Sequence, residues 1–371
     1  ITSQSLPAGD GEPDIVIGTR EQLFHLLAEA AEIEHALMCS YLYAAFSLKA
    51  PGAPGVSSED EQVIGRWRKL IMSVAIEEMG HLVLVSNLSA AIGSRPHFDR
   101  PNFPVTSGYF PAEIQLKLTP FSLETLDHFI YLERPLGADL ADGVGFDGTH
   151  GPRAQAVLGL MPSAQDYTTV SHLYEAIREN LIALTKRIGE TDVFIGSPLS
   201  QIGRDVMDMT GVDRITSLPE AIAALDLIIE PGEGATSSSE DCHFTRFKQI
   251  RDEYETRLRT NPDFSPAHPV ISNPVMRRPT TEEDLTWVSA PDAARILDFC
   301  NALYNLLLRA LVQAYSRDRK VGEQKQFIDL AIALMHAMAL AVQQLVTLPA
   351  TPDGPMTAGM SFTTLRALQP F

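Results

Sequence analysis

The sequence predicts an all-α dominated fold, a helical bundle enlarged by long irregular insertions. Three observations carry that prediction. Two apolar-periodic segments near the N-terminus each approach or exceed about 30 residues, long for helices of a globular domain and typical of bundles. Four shorter segments further along repeat the three-and-four spacing of a helix face. The stretches between them are punctuated by proline and glycine, and only one alternates enough to suggest a strand.

Residues 1–18 read as a loose lead-in, followed by a single domain over 19–371. Thr19 opens the first helix, and Gln22 three positions on completes a capping-box pattern. That helix runs to about Lys49 and is stopped by Pro51 and Gly52. A second helix spans about Glu61 to Ile92 and ends at Gly93. An insertion over about 93–166 follows, in which AEIQLKLTPF suggests a strand and SLETLDHFIYLE a short helix. Its aromatic content favours a packed cap over a linker, and long insertions of this kind are usually functional or disordered. A third bundle helix covers roughly 168–187, and a second irregular insertion occupies about 190–238. The fourth helix is expected from near Glu240 to about Arg259. A C-terminal helix pair lies at about 291–348, its first member capped by Ser289 with Pro291 in the first turn.

Composition narrows the function classes. The chain of 371 residues is 45% hydrophobic and 20% charged, as expected of a globular protein with a sizeable core. A formal charge of −18 repels phosphate backbones and anionic lipid, which argues against nucleic-acid and membrane-surface partners. Cys39, Cys242 and Cys300 lie far apart, which disfavours a disulfide framework and a thiolate zinc site. No signal-peptide pattern opens the sequence, and the most apolar stretch, Leu330 to Val342, is shorter than a bilayer span. It reads as a buried helix with His336 as a core histidine, and the expectation is a cytoplasmic protein.

Carboxylates on apolar stripes supply the functional signal. Side chains three and four apart share a helix face. One such row on the first helix is Leu23, Leu27, Ala30, Glu34, Leu37, Tyr41, Ala45, Leu48, apolar or aromatic except at Glu34. On the second helix the row is Trp67, Ile71, Val74, Glu78, His81, Val85, Leu88, Ile92, broken by Glu78 and His81. On the fourth it is Glu240, His243, Phe247, Ile250, Tyr254, Leu258, with the same Glu-x-x-His spacing. A buried carboxylate costs several kcal/mol unless it is paired, protonated or metal-bound. Several on separate helices, with little lysine or arginine nearby, call for a shared cation. Di-metal carboxylate bundles solve that problem with one Glu from each of two helices and Glu-x-x-His from each of the other two. Glu34 fills one single-Glu position. Glu175 is the candidate for the other, although it flanks the third helix's apolar row of Val170, Tyr174, Ile177, Leu181 and Leu184, and Glu179 is an alternative. Glu77 reads as a solvated neighbour of Glu78 or an outer hydrogen-bond partner. Tyr41 reads as core packing or as a hydrogen-bond donor behind the ligands.

The segments EIEHALMCSYLYAAFSLK, IEEMGHLVLVSNLSAAIGSRPHFDRPNFP, IIEPGEGATSSSEDCHFTRF and AGMSFTTL resemble the ferritin-like family that includes iminophenyl-pyruvate dimer synthase of violacein and related bisindole pathways. The resemblance runs from about Arg20 to Leu368. It implies a ferritin-like four-helix bundle with an iron site, and an oxidative role in natural-product biosynthesis. Carried over by position, it makes Glu34, Glu78, His81, Glu175 and His243 metal ligands. It adds Glu233 of the GEG segment as a second candidate carboxylate beside Glu240, and the choice between those two stays open.

The reading that results is an iron-dependent oxidative enzyme, dinuclear or mononuclear, with manganese as the alternative metal. It would take a small organic substrate together with dioxygen or peroxide, and oxidative coupling of an amino-acid-derived imine is one version. A homodimer or a pathway-enzyme partner is compatible with it. Two competing readings are an iron-oxidising, iron-binding ferritin-like protein and a non-catalytic partner protein. The large insertions and the extra helix pair disfavour a storage cage. The full set of acidic and imidazole positions disfavours a decayed site.

Overall fold

The computed structural model describes residues 15–105, 110, 114–135, 138–146, 167, 169–229, 242–280, 284–316 and 320–364. Nine α-helices occur among them: α1 (Arg20–Ser47), α2 (Ser58–Ala91), α3 (Leu123–Leu132), α4 (Val170–Ile188), the single turn α5 (Glu190–Val193), α6 (Leu218–Ile228), α7 (His243–Thr260), α8 (Pro291–Ala314) and α9 (Val321–Leu345). The only sheet among the described residues is a parallel pair of two-residue strands, β1 (Pro274–Val275) and β2 (Thr286–Trp287).

Helix α1 starts as its sequence dictates. The Thr19 side chain accepts from the Gln22 amide, and the Gln22 side chain accepts from the Thr19 amide, which satisfies two of the helix's free N–H groups. From Ile33 to Ala45 every residue of α1 is buried, so this helix is the centre of the fold and is apolar almost all round. Its longest partner is α2. Helix α4 packs on α1, α7 on α2, and α3 on α7. The other side of α1 is covered by α8, α9 and the chain around 358–362. Backbone at Gly359 lies against the Tyr43 ring, where a Cβ would collide with the phenol, and the Tyr43 hydroxyl donates to the Ile271 carbonyl. At the far end of α1 and α2, Trp67 is fully buried among Phe121, Tyr254 and Phe264, with ring centroids 5.4–6.0 Å away.

Several expectations are corrected. The stretch at 114–121 forms no strand: Leu116 makes one isolated antiparallel bridge with Val105, and the prolines on either side leave no room for a ladder. The region 190–238 is not irregular throughout, because α6 occupies Leu218–Ile228. Pro219 in its first turn and the buried row Ala221, Ala224, Leu225 and Ile228 are a helix signature too short to stand out. Helix α7 opens at His243, with Cys242 as its N-cap, rather than near Glu240. Ala290 rather than Ser289 caps α8, and the amides of both donate to the Ala350 carbonyl.

Helix α9 lies within the expected pair at 291–348, but it is less buried than its apolar stretch implies. An 18-residue window within its 25 residues has a mean hydropathy of 1.5, enough by length and composition to cross a bilayer. Only 33% of that window is buried, and His336 is exposed rather than in the core. Helices α8 and α9 pack chiefly on each other. They are fixed to the body by polar hooks: buried Gln324 of α9 donates to the Leu199 and Gln201 carbonyls, besides the Ala314 carbonyl at the end of α8, and Asn301 of α8 donates to Ser361.

Candidate metal centre

Two groups of three ligand-type side chains meet in the bundle, Glu34–Glu78–His81 and Glu78–Glu133–His243. All five residues are buried, and within each group the ligand atoms lie within 4.8 Å of one another. Glu78 belongs to both, so the arrangement is one carboxylate flanked by two carboxylate–imidazole pairs. Helix geometry brings Glu78 and His81 together locally, because residues three apart sit one turn above each other; His81 Nδ1 is 3.1 Å from Glu78 Oε2. Tertiary packing supplies the rest. His81 Nδ1 is 3.4 Å from Glu34 Oε2 on α1, and His243 Nδ1 is 2.9 Å from Glu78 Oε1 and 3.5 Å from Glu133 Oε2. The two imidazole rings face each other at 5.7 Å and 27°.

Behind these groups stand partners that fix their orientation. Tyr174 on α4 donates to Glu34 Oε1 at 2.5 Å, and Tyr41 on α1 donates to Glu133 Oε1. The outer nitrogen of His243, Nε2, lies 3.1 Å from Glu77 Oε2, and the other oxygen of Glu77 accepts from Arg246 at 2.5 Å. A carboxylate on the outer nitrogen of an imidazole sets its tautomer and turns Nδ1 inward. Tyr41 also packs between Phe129 and Phe247, at centroid distances of 4.6 and 4.9 Å, which keeps the Glu133 side dry.

Electrostatics favour a cation among these groups. Burial, reinforced by the neighbouring Glu78 carboxylate, pushes Glu34 up to about 8. Burial likewise raises Glu133. It opposes ionisation of Glu78 too, but His81 and His243 on either side outweigh it and hold that carboxyl well below the usual range. Burial disfavours the charged form of His81, yet the Glu78 and Glu34 carboxylates raise it to about 10; Glu133 and Glu78 raise His243 in the same sense. Without a cation, protons take its place. Even so, Glu34 Oε2, Glu133 Oε2 and His243 Nδ1 are buried without a hydrogen bond. All three point among the other ligand atoms. An oxygen-and-imidazole donor set with inward-facing unsatisfied atoms fits iron or manganese.

Of the residues expected from the sequence, the structure brings together Glu34, Glu78, His81 and His243. Glu175 joins neither group. It is half-buried, and it is the adjacent Tyr174 that reaches the centre. Glu233 and Glu240 lie outside the described residues. Tyr41 and Glu77 take the outer hydrogen-bonding roles rather than only packing or solvation. His35 is fully buried but turns away from the centre, its Nε2 2.5 Å from the Tyr304 hydroxyl.

Glu133 is the residue that sequence reasoning misses. It caps the C-terminal end of α3, in line with Leu126, Phe129 and Ile130, so the stripe pattern that singles out Glu34 also singles out Glu133. The helix is only 10 residues long and sits in an insertion, where no bundle ligand is expected. A cavity of about 440 Å³ opens at the other end of α3, bordered by Lys117, Ser122, Phe146, Asn273 and Asp284, and none of the five ligand-type residues lines it.

A bundle of this shape, with carboxylates and imidazoles converging between its helices, defines a class, and the comparisons agree with it. The ferritin-like family model matches residues 27–252, and the chain belongs to that family, as the sequence resemblance implies. Its relatives include the dichlorochromopyrrolate synthase of Lentzea aerocolonigenes, 29% identical over 93% of this chain and 36% of the relative. They also include the 2-imino-3-(indol-3-yl)propanoate dimerase of Chromobacterium violaceum, 23% identical over 91% of this chain and 33% of the relative. The chain therefore spans about a third of the length of the curated relatives it matches. A crystal structure of a ferritin-like protein from Caulobacter vibrioides superposes with a TM-score of 0.57 at 17% identity, covering 94% of this chain and 100% of that one. At that identity it speaks for the fold alone.

Proposed function

We propose that the chain is a non-haem iron enzyme, with a dinuclear carboxylate centre, that oxidises a small organic substrate in natural-product biosynthesis. The observation that carries the reading is the pair of buried triads sharing Glu78, with unsatisfied ligand atoms turned inward. Glu34, His81 and Glu78 would hold one ion, and Glu133, His243 and Glu78 the other. Iron held there would supply redox chemistry with dioxygen or a peroxide.

The protein's own part is positioning and exclusion of water. The Tyr174 and Tyr41 hydroxyls hold one oxygen each of Glu34 and Glu133, leaving the other free for the ion. Glu77 and Arg246 keep the His243 ring in one orientation. Phe129 and Phe247 close the Glu133 side. The name of one relative, a 2-imino-3-(indol-3-yl)propanoate dimerase, suggests the substrate class, an amino-acid-derived imine, and the joining of two such molecules as the reaction. Oxidative coupling is the version the proposed iron centre would serve. Joining two such molecules through a new carbon–carbon bond removes two hydrogens, which dioxygen or peroxide accepts.

The test begins with metal. Purified protein from iron-supplemented cells should carry about two equivalents per chain. Glu78→Ala should lose nearly all of that while keeping the helical circular-dichroism signal. Iron-loaded protein given the imine and dioxygen should then yield a product of dimeric mass. Normal metal content in Glu78→Ala would end the reading.

A further inference from the structure

The α8–α9 hairpin turns apolar side chains to solvent that the rest of the fold does not use. On α8, Phe299 is 55% exposed and Leu306 48%; on α9, Leu340 is 69% exposed, with Leu330 and Ile332 also in the open. Ala302, Ala333 and Ala337 are exposed among them. From Leu330 to Leu345, α9 carries no charged residue. Neighbouring exposed apolar residues on this scale mark a surface that is covered in use.

The row on α8 indicates what covers it. Asp298, Phe299, Ala302, Leu306 and Arg309 are all exposed and recur at spacings that keep them on one face. The row has an acid at one end, a base at the other, two large apolar residues between them, and a small one near the middle. Read backwards, it is complementary to itself. An antiparallel two-fold pairing sets Asp298 beside the partner's Arg309 and Phe299 beside the partner's Leu306, with Ala302 near the axis where two helices must approach most closely. Arg295, one turn before Asp298, is already paired with Asp292, whereas Asp298 and Arg309 enter no ion pair among the described residues.

We propose that this face is a two-fold interface with a second copy of this chain. The net charge of −18 makes two copies repel over most of their surface, and the uncharged face of α9 beside a charge-matched α8 is where they can close. A lipid surface is the poorer occupant, because the same α8 face would carry Asp298 and Arg309 into hydrocarbon.

Light scattering coupled to gel filtration, and sedimentation across the micromolar range, test this on the full chain. The expected mass is twice that of the chain. Leu306→Glu should shift it to a single chain, with helical content and metal content unchanged. Asp298→Arg and Arg309→Asp should each weaken association by about tenfold or more, since each creates two like-charge contacts per dimer. The double reversal should restore it. If Leu306→Glu fails to fold, the reversals at exposed positions carry the test. A single-chain mass throughout the range would overturn the proposal. So would an assembly indifferent to Leu306→Glu or to the single reversals, a double reversal no better than either single one, or a monomer that instead binds lipid vesicles.

Discussion

Glu34 and Glu133 each keep one oxygen on a tyrosine and leave the other without a hydrogen bond, whereas Glu78 has an imidazole beside each of its oxygens, and that division decides how a substitution reads out. Glu133→Gln keeps the acceptor for Tyr41 and the side-chain volume but removes the charge on the His243 side. It should lower bound metal from about two equivalents to about one in an anaerobic titration, with the Glu34–His81 pair still loading. Loss of both equivalents would mean that the two positions fill as a unit. Away from the centre, Glu29 on α1 accepts from Tyr167 at 2.7 Å, and burial, with Glu32 nearby, pushes its carboxyl up to about 7 from an ordinary 4.5. A carboxyl raised on folding contributes its full stability below about pH 4.5 and loses it as pH climbs through 7. Glu29→Gln should therefore melt close to wild type near pH 5 and at a higher temperature than wild type near pH 8. A constant difference across that range would show that Glu29 does not titrate in this way.

Among the elements, α2 does the most varied work. Its middle turns carry Glu77, Glu78 and His81, and its last turns hold the loop that leads to α6. Asn87, fully buried, donates to the Ile202 and Asp213 carbonyls at 2.7 and 2.9 Å and accepts from the Ile202 amide at 2.9 Å. Asn87→Ala strands three backbone groups out of reach of water and should cost about 2–4 kcal/mol, measurable as a lower urea midpoint at unchanged slope. The position of α3 matters as much. Its N-terminal cap, Ser122, fixes where it begins, and its length then places Glu133 at the centre and Phe129 against Tyr41. Its pattern is as legible as that of α1, but nothing in a 10-residue amphipathic segment says that it will dock on α7 with its last residue inside the bundle.

For the whole molecule, metal and stability are linked. Three carboxylates and two imidazoles buried in one place disfavour the empty fold, and an ion that binds only the native state stabilises it in proportion to the logarithm of its concentration over its Kd. Adding ferrous or manganous ion to chelated protein should raise Tm by several degrees, corresponding to about 2.7 kcal/mol at a hundredfold excess over Kd. Chelator should reverse the shift, and Glu78→Ala should abolish it. A Tm indifferent to metal would mean that protons satisfy the cluster as well as ions do.

What the sequence determined by itself is local. Helix periodicity places Glu34 on the inner stripe of α1 and sets Glu78 and His81 one turn apart on that of α2. The capping box at Thr19 and Gln22 starts α1 where the pattern says it should. Those features depend on neighbours within a turn or two, and the 3.6-residue repeat reports them directly. Only the tertiary structure decided which carboxylates meet. It brought Glu133 from a short helix and His243 from the first residue of α7 to the far side of Glu78, and rotated α4 so that Tyr174, rather than Glu175, reaches Glu34. One residue along a helix is a turn of about 100°, and the rotation of one helix against another is set by packing across the core, which no periodicity within a single segment encodes.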